Sequence, residues 1–373
     1  MVLKDFVSHQ ILKLPFTSSN NFKEALKSNF YNFINIVETV DDEYSTVIQK
    51  SIQQSIENFN DVDEIISLVL IGDNIKAYNK FSLLIDKIKR YISWENKFFK
   101  TRESDNDFLF RARVNSGAFF KSLDLFHRPF EKRFNIPNSR FSLNGMPCLY
   151  LSNSTYTCWE ECGRPELAKT SFSRFKASSD LKTLDFSYEL EPLATLSSIC
   201  SNPDLPNVMR ILMTQKLGES LEKFIAIYPL YLATYTSVFE INDFFKPEYI
   251  FPQLIMQWII SNGEYDGVKY NSTKSFAHRA YPHSYFGWYN FAYPAKTTSD
   301  TGHCQFLLKN FSFTDPISWE LLTLTEPGWY LKHRDLLKYP VAKLALLDSR
   351  QTEYHNTAFG KLETALFDLE FTA

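Results

Sequence analysis

The chain carries none of the common short signatures of phosphate-cradling or hydrolytic chemistry: GxGxxG, the Walker A loop, HExxH, GxSxG and paired CxxC are all missing. Cys158 and Cys162 are spaced C-x3-C, but a zinc site needs a second pair, and His303-Cys304 has the wrong local spacing. These thiols read as unpaired side chains in or near a core. A helical ribonuclease with a short-spaced Arg–His pair is set aside, because the first hundred residues hold only His9, with no arginine upstream of it. What remains is an ordered spread of arginines, a tyrosine, a carboxylate pair and a late serine. It runs through FRARV (Arg111, Arg113), LFHRPF (Leu125–Phe130) and RFSLNGMPCLYLSNSTYTCWEE (Arg140–Glu161, with Tyr150 and Glu160 inside it). YIFPQL and DGVKYNS follow, the latter ending at Ser272. Guanidinium forks donate two parallel bonds to phosphate oxygens. A carboxylate stabilises developing positive charge, and an aromatic ring stacks on a flat ring. Taken singly, each residue has a plainer reading: Arg111 or Arg113 as a surface cation, Arg140 as a solvated charge, Tyr150 as core. Glu160 and Glu161 read as a solvated helix face, Ser272 as a turn or cap, and His127 and His278 as structural or exposed. Taken as an ordered set, they favour a functional reading.

Short strands and helices after residue 105 must position these groups. Phe108–Val114 alternates as a strand, and Arg111 and Arg113, two apart, fall on one face of it. Cys148–Ser152 is a second strand, entered through a turn at Asn144-Gly145. Leu181–Ser187 and Gly267–Ser272 are further strands. Pro247–Gly263 reads as a helix with its prolines in the first turns and Asn262-Gly263 as its stop. The first hundred residues read as helices without strands. Leu26, Phe30, Phe33, Val37 and Val40 make one stripe, Ile48, Ile52, Ile56 and Phe59 a second, and Phe81, Ile85, Ile88 and Ile92 a third. Asp61 and Asp63 offer N-cap oxygens ahead of the apolar run Ile65–Ile71. The polar run Thr101–Asp107 marks a boundary, and the last fifty residues read as mostly helical, broken at Pro327. The expected architecture is mixed α/β (α+β). A helical N-terminal domain spans 1–105, an α/β domain 106–315 and a helical C-terminal extension 316–373. Every candidate residue lies at or beyond Arg111, so the N-terminal helices are expected to be dispensable for chemistry.

Composition narrows the class. Of 373 residues 44% are hydrophobic and 16% aromatic, which excludes disorder of the whole chain. Lys plus Arg is 40 and Asp plus Glu is 43, a net −3 that offers no bulk attraction for nucleic acid or an anionic membrane. The opening MVLKDFVSHQ has no long apolar run, which predicts no signal peptide, and no later window is long and apolar enough to span a membrane. Five cysteines argue against a disulfide scaffold and fit a reducing cytoplasm.

In order, spacing and secondary structure, the stretch from Phe108 to about Asn310 resembles the RES domain family, named for an arginine, a glutamate and a serine. The resemblance implies a fold related to ADP-ribosyltransferase toxins and consumption of NAD, as a substrate rather than a recycled cofactor, with no metal. It implies roles residue by residue. Arg111, with Arg113 as its competitor, and Arg140 match the family's arginines. Tyr150 matches the tyrosine of its Leu-Tyr-Leu strand. Glu161, eleven residues on, matches the glutamate, with Glu160 the competitor if the register slips by one. Ser272 matches the serine. Glu161, Arg111 and Ser272 are then the catalytic set, and Arg111, Arg113, Arg140, Tyr150 and Ser272 the groups that bind NAD. One departure is Ser139-Arg140-Phe141-Ser142, where the family often has Gly-Arg-Trp-Asn. The implied activity is cleavage of the nicotinamide–ribose bond by water or phosphate, with ADP-ribosyl transfer to a macromolecule as the alternative. A non-catalytic interaction protein with a RES-like fold is the reading from another class. The implied role is a bacterial toxin or abortive defence effector, with an inhibitory antitoxin or immunity protein, or a second copy of the chain, as partner.

Overall fold

Apolar side chains spaced by three and four residues make the first helices of this computed structural model, which describes residues 3–40, 44–92, 108–115, 120–274, 288–297, 299–323, 343–345 and 351–372. The boundary run Thr101–Asp107, His278 and Pro327 lie outside the described residues. α1 (Leu3–Val7) and β1 (Phe16–Thr17) lead into α2 (Phe22–Glu38), α3 (Ser45–Leu70) and α4 (Asn74–Ile92). Leu26, Phe30, Phe33 and Val37 are buried on α2, and Phe81, Ile85, Ile88 and Ile92 on α4, as their spacing predicts. Asp61 and Asp63 do not cap a helix. α3 runs through them for 26 residues, and they pair sideways with Lys80 at 3.0 Å and Lys23 at 3.1 Å. An aspartate serves as a cap only where the helix starts. Here the Ile48–Phe59 stripe and the apolar run beginning at Ile65, expected on separate helices, share one.

The chain continues through β2 (Leu109–Val114), β3 (Cys148–Ser152), α5 (Thr155–Glu161), β4 (Thr170–Ala177) and β5 (Thr183–Asp185). Then come α6 (Glu191–Cys200), α7 (Asn207–Thr234), β6 (Thr236–Ser237) and α8 (Ile250–Asn262). β7 (Gly267–Asn271), β8 (Tyr289–Pro294), α9 (Gln305–Asn310), β9 (Phe311–Thr314), β10 (Ile317–Ser318) and α10 (Trp319–Thr323) follow. β11 (Lys343–Ala345), β12 (Gln351–Glu353), α11 (Ala358–Phe367) and β13 (Phe371–Thr372) close the chain. The strands expected at Phe108–Val114, Cys148–Ser152, Leu181–Ser187 and Gly267–Ser272 are β2, β3, β5 and β7. A turn of 3-10 helix at Pro247–Tyr249 leads into α8.

Two units result. The helical unit joins Met1–Phe99 to Tyr188–Trp258, so it is built from two separate stretches of chain. That differs from a domain boundary placed near residue 105 alone. The second stretch belongs there because the last half of α7 is buried on nearly every side, with Leu221, Phe224 and Tyr228 in the core. Tyr228 stacks on Phe33 at 3.6 Å, and Asn58 Nδ2 donates to the Ala226 carbonyl at 2.7 Å. β1 pairs in parallel with β6, a strand pairing where the sequence suggested helices only.

The second unit, Lys100–Ser187 with Ile259–Ala373, is built on a mixed sheet of order β13-β9-β4-β2-β3-β8-β7-β5, with β10 also on β4. Within this sheet, among the described residues, only the β5–β7 pair runs parallel. Alternation sends Leu109, Leu149, Leu151, Phe175 and Phe291 into one core. Phe110, Cys158, Phe172, Leu362 and Leu366 form another, where α5 and α11 lie. β7 opens on Gly267 because a Cβ there would stand 2.3 Å from Tyr293 Cδ1 and 2.7 Å from the Ala292 carbonyl. Among the described residues from 316 on, α10 and α11 are helical as expected, while β10 pairs with β4 and β13 with β9, adding two short strands to this sheet. Two-residue strands are too short to show alternation.

Candidate active site

Glu161 ends α5, and the sequence places that helix firmly. Ser154 caps it, accepting from Thr157 N at 3.0 Å. Thr155 N donates to buried Glu363 Oε1 at 2.7 Å. Adjacent residues on a helix point about 100° apart, and the two glutamates separate accordingly. Glu160 is buried and accepts from the Tyr156 hydroxyl and from Arg164 Nε at 2.8 Å and Nη2 at 3.1 Å. Glu161 turns toward the ends of β7 and β8. Its Oε1 accepts from Ser272 Oγ at 2.6 Å and from Asn290 Nδ2 at 2.7 Å. Lys274 Nζ donates to the Glu161 carbonyl at 2.9 Å and stands 3.8 Å from Oε2.

Arg111 lies where β2 and β3 pair through a single bridge, Phe110 with Ser152. Its Nη1 donates to the Tyr150 carbonyl at 2.7 Å, and its buried Nε has no partner among the described residues. Burial, then the nearby Arg113 charge, draws its pKa down to about 10. Arg113 is held elsewhere. It donates to the Asp124 carbonyl and lies over the Phe120 ring at 5.6 Å. Burial, then the Arg128 charge, lowers its pKa.

Two further side chains feel the charges of this set. Burial pushes the Cys162 thiol up, the Arg111 and Lys274 charges pull it down, and Glu161 adds to the rise. Burial raises the Tyr270 phenol well above its ordinary value, helped by Tyr150 and Glu161 and opposed by Arg140. Phe141 packs on the Tyr270 ring at 4.1 Å, which sets the turn bearing half-buried Arg140 beside the same strand. Glu161 and Ser272 are thus joined directly, Tyr150 and Arg140 act on Tyr270 of β7, the strand that leads into Ser272, Arg111 reaches the Tyr150 carbonyl from β2, and Arg113 is turned to Asp124.

Sequence reasoning missed Asn290, Tyr270, Lys274 and Cys162. Tyr270 was within reach, since Val268, Tyr270 and Ser272 alternate along one face. Asn290 had no signal, because only the β3–β8 pairing opposes it to Ser152. Ser272 was expected to touch the substrate. Its Oγ is buried, donates to Glu161 and accepts from Lys274 N at 3.3 Å, so here it orients the carboxylate. All five cysteines are free, and among the described residues no group of three or more His, Cys, Asp and Glu gathers to hold a metal. No helix among them is long and apolar enough to cross a membrane.

Over 263 residues the chain is 34% identical to a protein of Bacillus subtilis (strain 168) named "Putative toxin YopC". The match covers 69% of this chain and 55% of that protein, so the chain spans about half the length of the curated relative it matches. No protein-family model matches the chain, and no solved structure matches it.

Proposed function

We propose that the sheet unit is a RES-type, ADP-ribosyltransferase-like enzyme that binds NAD and cleaves its nicotinamide–ribose bond, and that the chain acts as a bacterial toxin through that loss of NAD. One observation carries the reading: a carboxylate pinned through a single oxygen, together with a desolvated guanidinium on β2 that reaches the Tyr150 carbonyl and ion-pairs with no carboxylate among the described residues. A buried cation without a protein counter-charge favours an anion from outside, and the pyrophosphate of NAD supplies two negative charges. Arg111 holds that anion from the gap between β2 and β3, with Arg140 beside Tyr270 as the second cation. Tyr150 borders the same region and offers a ring to the nicotinamide.

As the bond from ribose C1 to the nicotinamide nitrogen breaks, its electron pair leaves with nicotinamide and positive charge grows on C1 and the ring oxygen. Glu161 stabilises that charge, which the ground-state ribose lacks, so its effect falls on the transition state. Water then adds to C1 and gives up a proton, leaving ADP-ribose; phosphate in the same position leaves a phosphorylated ADP-ribose. The name of the Bacillus relative supports the toxin role. A cell making such an enzyme needs an inhibitor of it, which makes an antitoxin or immunity protein the expected partner.

The test is incubation of purified protein with NAD, with and without phosphate, and identification of products by chromatography. Free nicotinamide is expected, and Glu161→Gln is expected to lower kcat at least about a hundredfold with little change in affinity. ADP-ribose attached to a protein, rather than free, would move the reading to transfer. Intact NAD after prolonged incubation would overturn it.

A further inference from the structure

Glu161 presents two unequal oxygens. Oε1 accepts two bonds, from Ser272 and Asn290, which fills its two lone-pair directions. Oε2 accepts no hydrogen bond among the described residues and has only Lys274, half exposed, at 3.8 Å. Asn290 is 2% exposed, and both ends of its amide are engaged. A carboxylate can only accept, so the Asn290 NH2 group must face Glu161, and its Oδ1 is left to accept from Ser152 Oγ at 2.6 Å. Ser152 sits directly across the β3–β8 ladder, so the relay runs along one face of the sheet.

On the reading of Glu161 given above, we infer that Asn290 is a positioning residue. With Ser152 behind it, Asn290 fixes Oε1 so that Oε2 is the oxygen turned to the substrate. The hydroxyl aligns the amide, the amide aligns the carboxylate, and none of the three needs to reorganise when charge develops. Three separate strands and one short helix thus set the direction of a single oxygen.

Asn290→Asp tests this at constant size. It keeps an acceptor for Ser152 but sets a carboxylate against Glu161. The melting temperature is expected to fall by about 5 °C. In Glu161→Gln/Asn290→Asp the glutamine amide can donate to the new aspartate, so the temperature is expected to recover while NAD turnover does not. Asn290→Ala and Ser152→Ala are expected to lower kcat roughly a hundredfold and tenfold, with KM for NAD held within about twofold. Additive losses of melting temperature in the double variant would overturn the proposal, as would wild-type turnover in Asn290→Asp. Recovery of the double variant in a protein that leaves NAD intact would uphold the positioning of Glu161 and overturn the NAD reading, so the two failures separate.

Discussion

Glu160 and Glu161 are identical in type and adjacent in sequence, and their side chains meet different partners. Glu160 is enclosed by Tyr156 and Arg164 and holds the end of α5. Glu160→Gln is expected to cost about 1–3 kcal/mol of stability, read by denaturant unfolding, and to leave NAD turnover within a few-fold of wild type. Glu161→Gln should show the reverse pattern. A swap of the two outcomes would put the working carboxylate at Glu160. The arginines divide in the same way. Arg111→Ala removes a desolvated charge with no protein counter-ion among the described residues. It is expected to weaken NAD binding by roughly ten- to a hundredfold in calorimetric titration. Arg113→Ala, whose guanidinium serves the Asp124 carbonyl, is expected to change affinity less than about threefold. Equal losses in both would remove Arg111 from its special place.

Elements are joined by buried polar contacts that composition does not reveal. His127 is fully buried. Its Nδ1 donates to the Arg128 carbonyl at 2.7 Å, and its Nε2 accepts from Cys304 N at 2.9 Å. That pattern suits only the neutral ring, and burial lowers the pKa to about 4. An unfolded histidine takes its proton near pH 6.5. The stability it contributes is therefore complete above about 6.5 and is lost as pH falls toward about 4, on the order of 3 kcal/mol. His127→Gln is expected to flatten the acid side of the melting-temperature profile across that window; an unchanged slope would show that other groups set it. Glu363 on α11 plays a matching part for α5. Its Oε1 accepts from Thr155 N, from Thr155 Oγ1 at 3.1 Å and from the Tyr354 hydroxyl at 2.7 Å. Glu363→Ala leaves those donors without their acceptor, at about 3 kcal/mol, and loosens the helix that carries Glu161. Both melting temperature and NAD turnover should fall, and Glu363→Gln, which retains an acceptor, should restore most of each.

At the scale of the molecule, the helical unit is made from two stretches of chain, which changes what a truncation does. Removing 1–103 takes away α2, α3 and α4 but leaves α7, whose Leu221, Phe224 and Tyr228 then lose their cover. The chemistry-bearing residues all survive such a cut. The truncated protein is nonetheless expected to aggregate, as read by solubility and size-exclusion chromatography, because the uncovered rings form a large apolar patch. A soluble, monomeric product that turns over NAD would restore the expectation that the N-terminal helices are dispensable.

Local patterns in the chain carried a good part of this description. The stripes of α2 and α4 and the alternation in β2, β3 and β7 are one-dimensional signals. Each arises because a buried face repeats at the helix or strand period. They also showed which residues could do chemistry by type and order. Other features had no local signature. α7 is buried on nearly every side in its last half, so no stripe distinguishes it. β10 and β13 have two residues each and cannot show a period. The choice of Glu161 over Glu160 depends on which of them meets Ser272 and Asn290 from distant strands. The different surroundings of Arg113 depend on the Asp124 carbonyl, eleven residues on in sequence. Contacts between groups far apart in sequence come into being only when the sheet closes, and it is those contacts that make one carboxylate a structural clamp and its neighbour a candidate for catalysis.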